Sequence, residues 1–190
     1  MSTITAKRFT HEEYHRLAEL GFFRDNRVEL IRGEIWQMSA KGRSHSVCST
    51  RLYRELFKLV GDKAILRGQE PIVLASDSEP EPDLTIVRDR ADEYLSAHPT
   101  SIDILLVIEI SDSTLKYDQE VKLPLYAQAS ISHYWIFNLQ ANYLECYSEP
   151  YQDLQNQFGY RCKIIFLPND VVAVPNFEDI RLDLSNIFPN

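Results

Sequence analysis

The stretch Ile104–Ser111, "ILLVIEIS", constrains the fold of this chain more than any other. Side chains of a strand alternate between its two faces. Ile104, Leu106, Ile108 and Ile110 would share one face, and Leu105 and Val107 the other, with Glu109 ending that second stripe. Both faces are apolar, so the strand belongs at the centre of a sheet covered on both sides. The segment "DLTIV" reads as another strand, in which Asp83, Thr85 and Val87 share a face. "VELIRGEIWQMS" reads as a hairpin around Arg32-Gly33. "AILRGQEPIVLAS" is β-like but broken by Gly68 and Pro71. "HYWIFNL" and "NYLECYS" read as adjacent strands, followed by "YRCKIIFL" and "VVAV".

Three segments carry helical signals. Thr10 caps "HEEYHRLAEL", which closes at Gly21. Ser44 to about Val60 spaces Val47, Leu52, Leu56, Leu59 and Val60 near the helical period, with Gly61 as its stop. "TLKYDQEVKLPLYAQAS" is mainly helical, and Pro124 favours a helix late in the segment. The fold class is therefore α/β (α+β), with a β-rich C-terminal third. At 190 residues the chain is expected to form a single domain spanning 1–190.

If "DLTIV" and "ILLVIEI" lie antiparallel, the first residue of one sits beside the last of the other. Asp83 and Glu109 then meet at one end of the sheet. Two carboxylates in a partly desolvated place repel, and an unpaired buried charge costs roughly several kcal/mol. A divalent cation turns that cost into affinity, and Mg2+ is commonly held by one or two carboxylates and several waters. On spacing alone a plainer arrangement stays open, in which Asp83 caps the turn after "EPEP" and Glu109 pairs with an arginine.

Charge and composition narrow the function classes. A net charge of −8 argues against non-specific polyanion binding by the whole surface, though not against a local basic groove. Cys48, Cys146 and Cys162 are odd in number and far apart, as expected of reduced thiols in a cytoplasmic protein. No apolar run approaches the roughly 18 residues of a membrane helix, and the opening residues carry no apolar core of a secretory signal. "HEEYH", His11 to His15, fits the H-E-x-x-H pattern of zinc peptidases, but the helix is short and no third ligand is evident on a following helix. There is no G-x-S-x-G, no phosphate-cradling glycine loop and no C-x-x-C.

"VELIRGEIWQMS", "SHSVCSTRLYREL", "EPDLTIV" and "LLVIEISDSTLKYDQEVKLPLYAQASISHYWIFN", in that order, resemble the Uma-type family of restriction endonucleases abundant in cyanobacteria. The resemblance implies a variant of the PD-(D/E)XK, restriction-endonuclease-like fold, with a mixed central β-sheet flanked by helices. It implies a catalytic set of Asp83, Glu109 and Lys122, with Glu29 completing the acidic cluster and His45 near the start of the second helix. The ordinary motif puts a lysine at the position of Ser111; Lys122, on the following helical segment, matches the family's relocated lysine. Without the resemblance, Lys122 is a surface partner of Asp118, Glu29 a solvent-facing strand residue and His45 a capping residue. Asp118 is expected to fix the loop or Lys122, and Arg51 and Arg54 to meet phosphates or only water.

The chemistry so implied is hydrolysis of DNA phosphodiester bonds, with Mg2+ or Mn2+ on Asp83, Glu109 and the backbone carbonyl near Ile110. Two-fold symmetry suits double-strand cleavage, so a homodimer is expected, with "HYWIFNLQANYLECY" as either its contact or core. The competing functions are a catalytically inactive nuclease-like module that binds nucleic acid or protein, and a zinc peptidase using "HEEYH".

Overall fold

The structure is a computed structural model that describes residues 4–189. The first three residues of the stretch read for a secretory signal lie outside them, as do both ends of the 1–190 span. Helix α1 (His11–Glu19) begins where the sequence puts its cap: the Thr10 hydroxyl accepts from the Glu13 amide, and the Glu13 carboxylate accepts from the Thr10 amide. Strands β1 (Val28–Ile31) and β2 (Glu34–Gln37) form the expected hairpin, with Arg32 and Gly33 at φ of +51° and +75°. A two-residue turn that follows the strand twist needs both in the left-handed region. A Cβ on Gly33 would also fall 2.7 Å from Arg8 Cβ and 3.1 Å from the Phe9 amide nitrogen. Gly33→Ala is therefore expected to cost about 1–3 kcal/mol in urea unfolding. An unchanged midpoint would show that the turn is not strained.

Helix α2 (Arg43–Val60) ends at Gly61 as anticipated. It is followed by β3 (Ala64–Gly68), an irregular limb to Asp83, then β4 (Leu84–Arg88) and β5 (Ile104–Ser111). The next helical stretch comes in three pieces: α3 (Leu115–Tyr117), a π turn over Asp118–Lys122, and α4 (Leu123–Gln128). Pro124 explains the break, because it has no N–H to offer the Glu120 carbonyl and its ring crowds that position. The ladder widens, and the Leu123 amide reaches back to the Asp118 carbonyl. Strands β6 (His133–Asn138), β7 (Tyr143–Gln152), β8 (Phe158–Phe166), β9 (Val171–Ala173) and β10 (Arg181–Asp183) complete the chain.

The main sheet runs β3-β4-β5-β6-β7-β8. Only β5 and β6 are parallel, and the α3–α4 stretch supplies the crossover such a pair requires. The sheet is thus mixed, and β5 is central and covered on both faces as its sequence demands. One face packs Leu84, Ile86, Leu106, Ile108, Trp135 and Phe137 beneath α2 and the C-terminal residues from Val172 to Phe188. The other packs Val87, Val107, Tyr134 and Ile136 beneath Tyr126 of α4 and Ile72.

One expectation needs adjustment. Ile104 does not share a face with Leu106. The register slips between Ile86, opposite Leu106, and Val87, opposite Ile104, which turns Ile104 onto the Val107 side. Of the two roles left open for the aromatics of "HYWIFNLQANYLECY", Tyr134, Trp135, Phe137 and Tyr147 take the core one, while Tyr143 is partly exposed. Cys48 lies on the buried face of α2, and Cys146 and Cys162 are half-buried free thiols. No helix among the described residues is long and apolar enough to cross a membrane.

Candidate active site

The register that pairs Leu84 with Ile108 puts Asp83 next to Glu109 at the same end of the sheet. The limb before Asp83 cannot pair as a strand along its length, because Pro80 and Pro82 lack donors. It binds instead to the β1–β2 hairpin: Glu79 and Leu30 exchange amide hydrogen bonds of 2.7 and 3.4 Å, and Gly33 donates to the Asp77 carbonyl at 2.8 Å. That docking brings β1, and with it Glu29, against the Asp83 end of the sheet. Glu29 is buried rather than solvent-facing. Its carboxylate accepts from the Glu81 amide at 3.1 Å and the Tyr117 hydroxyl at 3.0 Å.

Lys122 closes the cluster. Its Nζ lies 2.9 Å from Glu109 Oε1 and 3.3 Å from Glu29 Oε2, and it is 3% exposed. It is no surface partner of Asp118. The Tyr126 hydroxyl donates to Glu109 Oε1 at 2.8 Å, and the Asp83 amide faces Oε2 at 3.4 Å. Asp83 Oδ2 accepts from the Ile110 amide and from His45 Nε2, both at 2.9 Å, while Lys41 Nζ lies 2.8 Å from Oδ1. His45 reaches round the strand end from the first turn of α2, and its Nδ1 is buried without a partner. Asp118 fixes the loop, as anticipated, by accepting from Ser111 Oγ at 2.7 Å and Thr114 Oγ1 at 2.8 Å. Ser111 is thereby committed to the loop. Glu29, Lys41, His45, Asp83, Glu109 and Lys122 all border one cavity of about 380 Å³.

Burial is the largest influence on Glu109 and pushes its carboxyl up to about 8. The Lys122 ammonium opposes that rise, and the charges of Asp118, Asp83 and Glu29 reinforce it. Burial would also raise Asp83, but the hydrogen bond and charge of His45, followed by Lys41, bring it down to about 2. Burial disfavours the charge on Lys122, yet Glu109, Glu29 and Asp118 together hold its pKa well above the ordinary lysine value. The site therefore keeps Asp83 ionised beside a Glu109 that takes up a proton far more readily than a free glutamate. Unfolded, Glu109 releases its proton near 4.5; folded, near 8, so the folded state holds more protons between those values. Stability of the metal-free protein should then fall across that window, by at most about 1.4 kcal/mol per pH unit. Asp83 contributes the opposite slope, its stabilisation being present above 3.8 and lost as pH falls towards 2. Urea midpoints at pH 5, 6.5 and 8 measure the first effect, and a flat series would contradict it.

Asp83, Glu109, Lys122, Glu29 and His45 all meet in this one place, with Ile110 in the cavity wall. Arg51 does not; it donates to the Phe188 carbonyl at 2.7 Å, and Arg54 leans on Glu55. Sequence reasoning did not single out Lys41, Tyr117 or Tyr126. Tyr126 was discoverable, because it lies four residues after Lys122 and so on the same helical side. Lys41 had no such cue, since it sits in an irregular loop before α2.

A family model, Uma2, described as a putative restriction endonuclease, matches residues 11–185. Among solved structures, a crystal structure of a putative nuclease belonging to DUF820 from Anabaena variabilis superposes with a TM-score of 0.72. The two are 17% identical, over 95% of this chain and 97% of that one, a likeness of fold. No curated protein matches the chain.

Proposed function

The chain belongs to the Uma2 family of putative restriction endonucleases, and from that premise we propose that it hydrolyses DNA phosphodiester bonds with a divalent cation bound between Asp83 and Glu109. The observation that carries this reading is the burial of Glu29, Asp83 and Glu109 at one cavity wall, with Lys122 bridging Glu29 and Glu109 while Lys41 and His45 hold Asp83. A fold rarely gathers three buried carboxylates at one cavity wall without a use for them, because each uncompensated charge is costly. The donor set is all oxygen, which suits Mg2+ or Mn2+. Burial above all, and then the neighbouring charges of Asp118, Asp83 and Glu29, raise the Glu109 carboxyl, and a cation bound there would offset both. Asp83, Glu109 and the Ile110 carbonyl would hold it, with Glu29 beside them.

When bound, the cation lowers the pKa of a coordinated water and polarises a phosphoryl oxygen. The chain's own residues do the rest. His45 and the Ile110 amide fix the orientation of Asp83. Lys122 orients the attacking water and offsets the charge gained in the transition state. Lys41 brings a second ammonium to the cavity, on a stem flexible enough to meet a phosphate. Glu29, Glu81, Asp83, Glu109, Asp112 and Asp118 outnumber Lys41 and Lys122 around the cavity, so attraction of a phosphate there requires the bound cation as well as the two lysines. Ser111 at the ordinary lysine position does not make the site inert, since Lys122 provides the ammonium from another element. A single 1–190 domain, a homodimer and a cytoplasmic setting belong to the same proposal.

The test is conversion of supercoiled plasmid to nicked and linear DNA with Mg2+ or Mn2+, stopped by EDTA, alongside calorimetric titration of Mn2+. Cleavage with about one tightly bound Mn2+ per chain is expected. No cleavage and no Mn2+ binding would instead favour the inactive-module reading.

A further inference from the structure

We propose that His11, His15 and Glu79 form a second metal site, for a cation of the Zn2+ class, which pins α1 to the limb leading into Asp83. The inference goes beyond the nuclease reading and does not rest on it. His11 and His15 are four residues apart on one face of α1, with ring centroids 4.4 Å apart. Their Nε2 atoms are separated by 3.1 Å. His15 Nε2 lies 2.9 Å from Glu79 Oε2, and His11 Nε2 meets the same oxygen. Three ligand atoms within 4.8 Å of one another thus come from two imidazoles and a carboxylate.

Two of the three spacings, between the Nε2 atoms and from His15 to Glu79, are close to those of a filled site, and His11 and Glu79, now in direct contact, would move apart around a cation. Metal bonds of 2.0–2.1 Å in a tetrahedron put ligand atoms about 3.3 Å apart. The alternative to a metal is awkward, because two imidazole nitrogens facing each other and one oxygen need a proton between each pair. Glu79 is 5% exposed, while the histidine side chains are 35% and 44% exposed, so a fourth position is open to water. Two nitrogens and one oxygen select Zn2+ and its neighbours over Mg2+, opposite to the all-oxygen cleavage site.

The third ligand comes from an irregular limb, which is why the sequence offered no sign of it. Glu12, the base that a peptidase would require, is exposed, so the role assigned is a clamp. Glu79 is bonded through its backbone to Leu30 of β1, and the His11 amide donates to the Ser76 carbonyl at 2.7 Å. A cation here joins α1, the limb and the strand that carries Glu29.

The experiment uses the full chain stripped by chelator and titrated with Co2+ as a spectroscopic probe, then with Zn2+. One Co2+ with the ligand-field absorption of a nitrogen-containing four- or five-coordinate site is expected, displaced by one Zn2+, with a raised melting midpoint. His11→Gln with His15→Gln should abolish the absorption and weaken Zn2+ at least about 100-fold. Asp83→Asn should preserve both, which separates this site from the cleavage site. If the double variant does not fold, His15→Gln alone is expected to weaken Zn2+ at least about tenfold. Zn2+ affinity unchanged by the histidine substitutions, or lost in Asp83→Asn, overturns the proposal.

Discussion

Glu109→Gln is expected to lower Mg2+-dependent cleavage by at least about 10³-fold, or ~4 kcal/mol of transition-state stabilisation, while leaving the fold intact. The two halves of that expectation have one cause. In the metal-free protein burial pushes the Glu109 carboxyl up to about 8, so it accepts a proton far more readily than a free glutamate. Glutamine is nearly isosteric with that protonated form. It still accepts from Tyr126, and Lys122 keeps Glu29 as a partner. The substitution therefore costs little at pH 6 and should be neutral or stabilising at pH 8, where the native carboxyl begins to ionise without adequate compensation. A cation, however, needs the anion, and an amide oxygen is a much weaker ligand. Calorimetry should show loss of Mn2+ binding together with loss of cleavage. The slope of stability against pH between 4.5 and 8 should also flatten in this variant. Cleavage at the native rate, or a steepened slope, would remove Glu109 from the role assigned to it.

Much of this site was legible because its two main acids sit on strands. The two-sided apolar pattern of Ile104–Ser111 places β5 at the centre of the sheet, and an antiparallel partner then fixes where Asp83 must lie relative to Glu109. Periodicity settles such positions from local sequence alone. Glu29 was harder, since alternation in β1 points it outward if β1 stands alone. It becomes interior because the proline-bearing limb docks on the hairpin, a contact between segments about 50 residues apart. Lys41 and Glu79 were silent for the same reason, as loop conformation carries no period. The slip at Leu105 left no trace either, because every residue around it is apolar and suits both faces. Lys122 lies between these cases. Pro124 marks a disturbed helix, but only the three-dimensional arrangement turns that disturbance into a π turn aimed at two carboxylates.

Lys122→Met should behave differently from Glu109→Gln on every axis. Lys122 is fully interior, and its ammonium is the cation nearest both Glu29 and Glu109. Removing one member of a buried ionic group leaves the others uncompensated, at about 3–5 kcal/mol. That penalty should depend on pH in a definite direction. Lys122 itself stays charged over the working range, because its pKa is held above the ordinary lysine value. The pH dependence comes from the carboxylates left behind. At pH 5 Glu109 can bind a proton and tolerate burial; towards pH 8 its ionisation exposes the missing charge. The destabilisation should therefore be several-fold larger at pH 8 than at pH 5 by urea unfolding. Mn2+ should recover part of it, since a divalent cation replaces the lost positive charge among the same oxygens. Cleavage should nevertheless remain low, by about 10²–10³-fold, because the metal cannot also orient the water it activates. A variant that binds Mn2+ as well as the native chain but cuts slowly assigns Lys122 to the chemical step. Native cleavage at full Mn2+ occupancy would reduce Lys122 to a counter-charge for a buried acid pair.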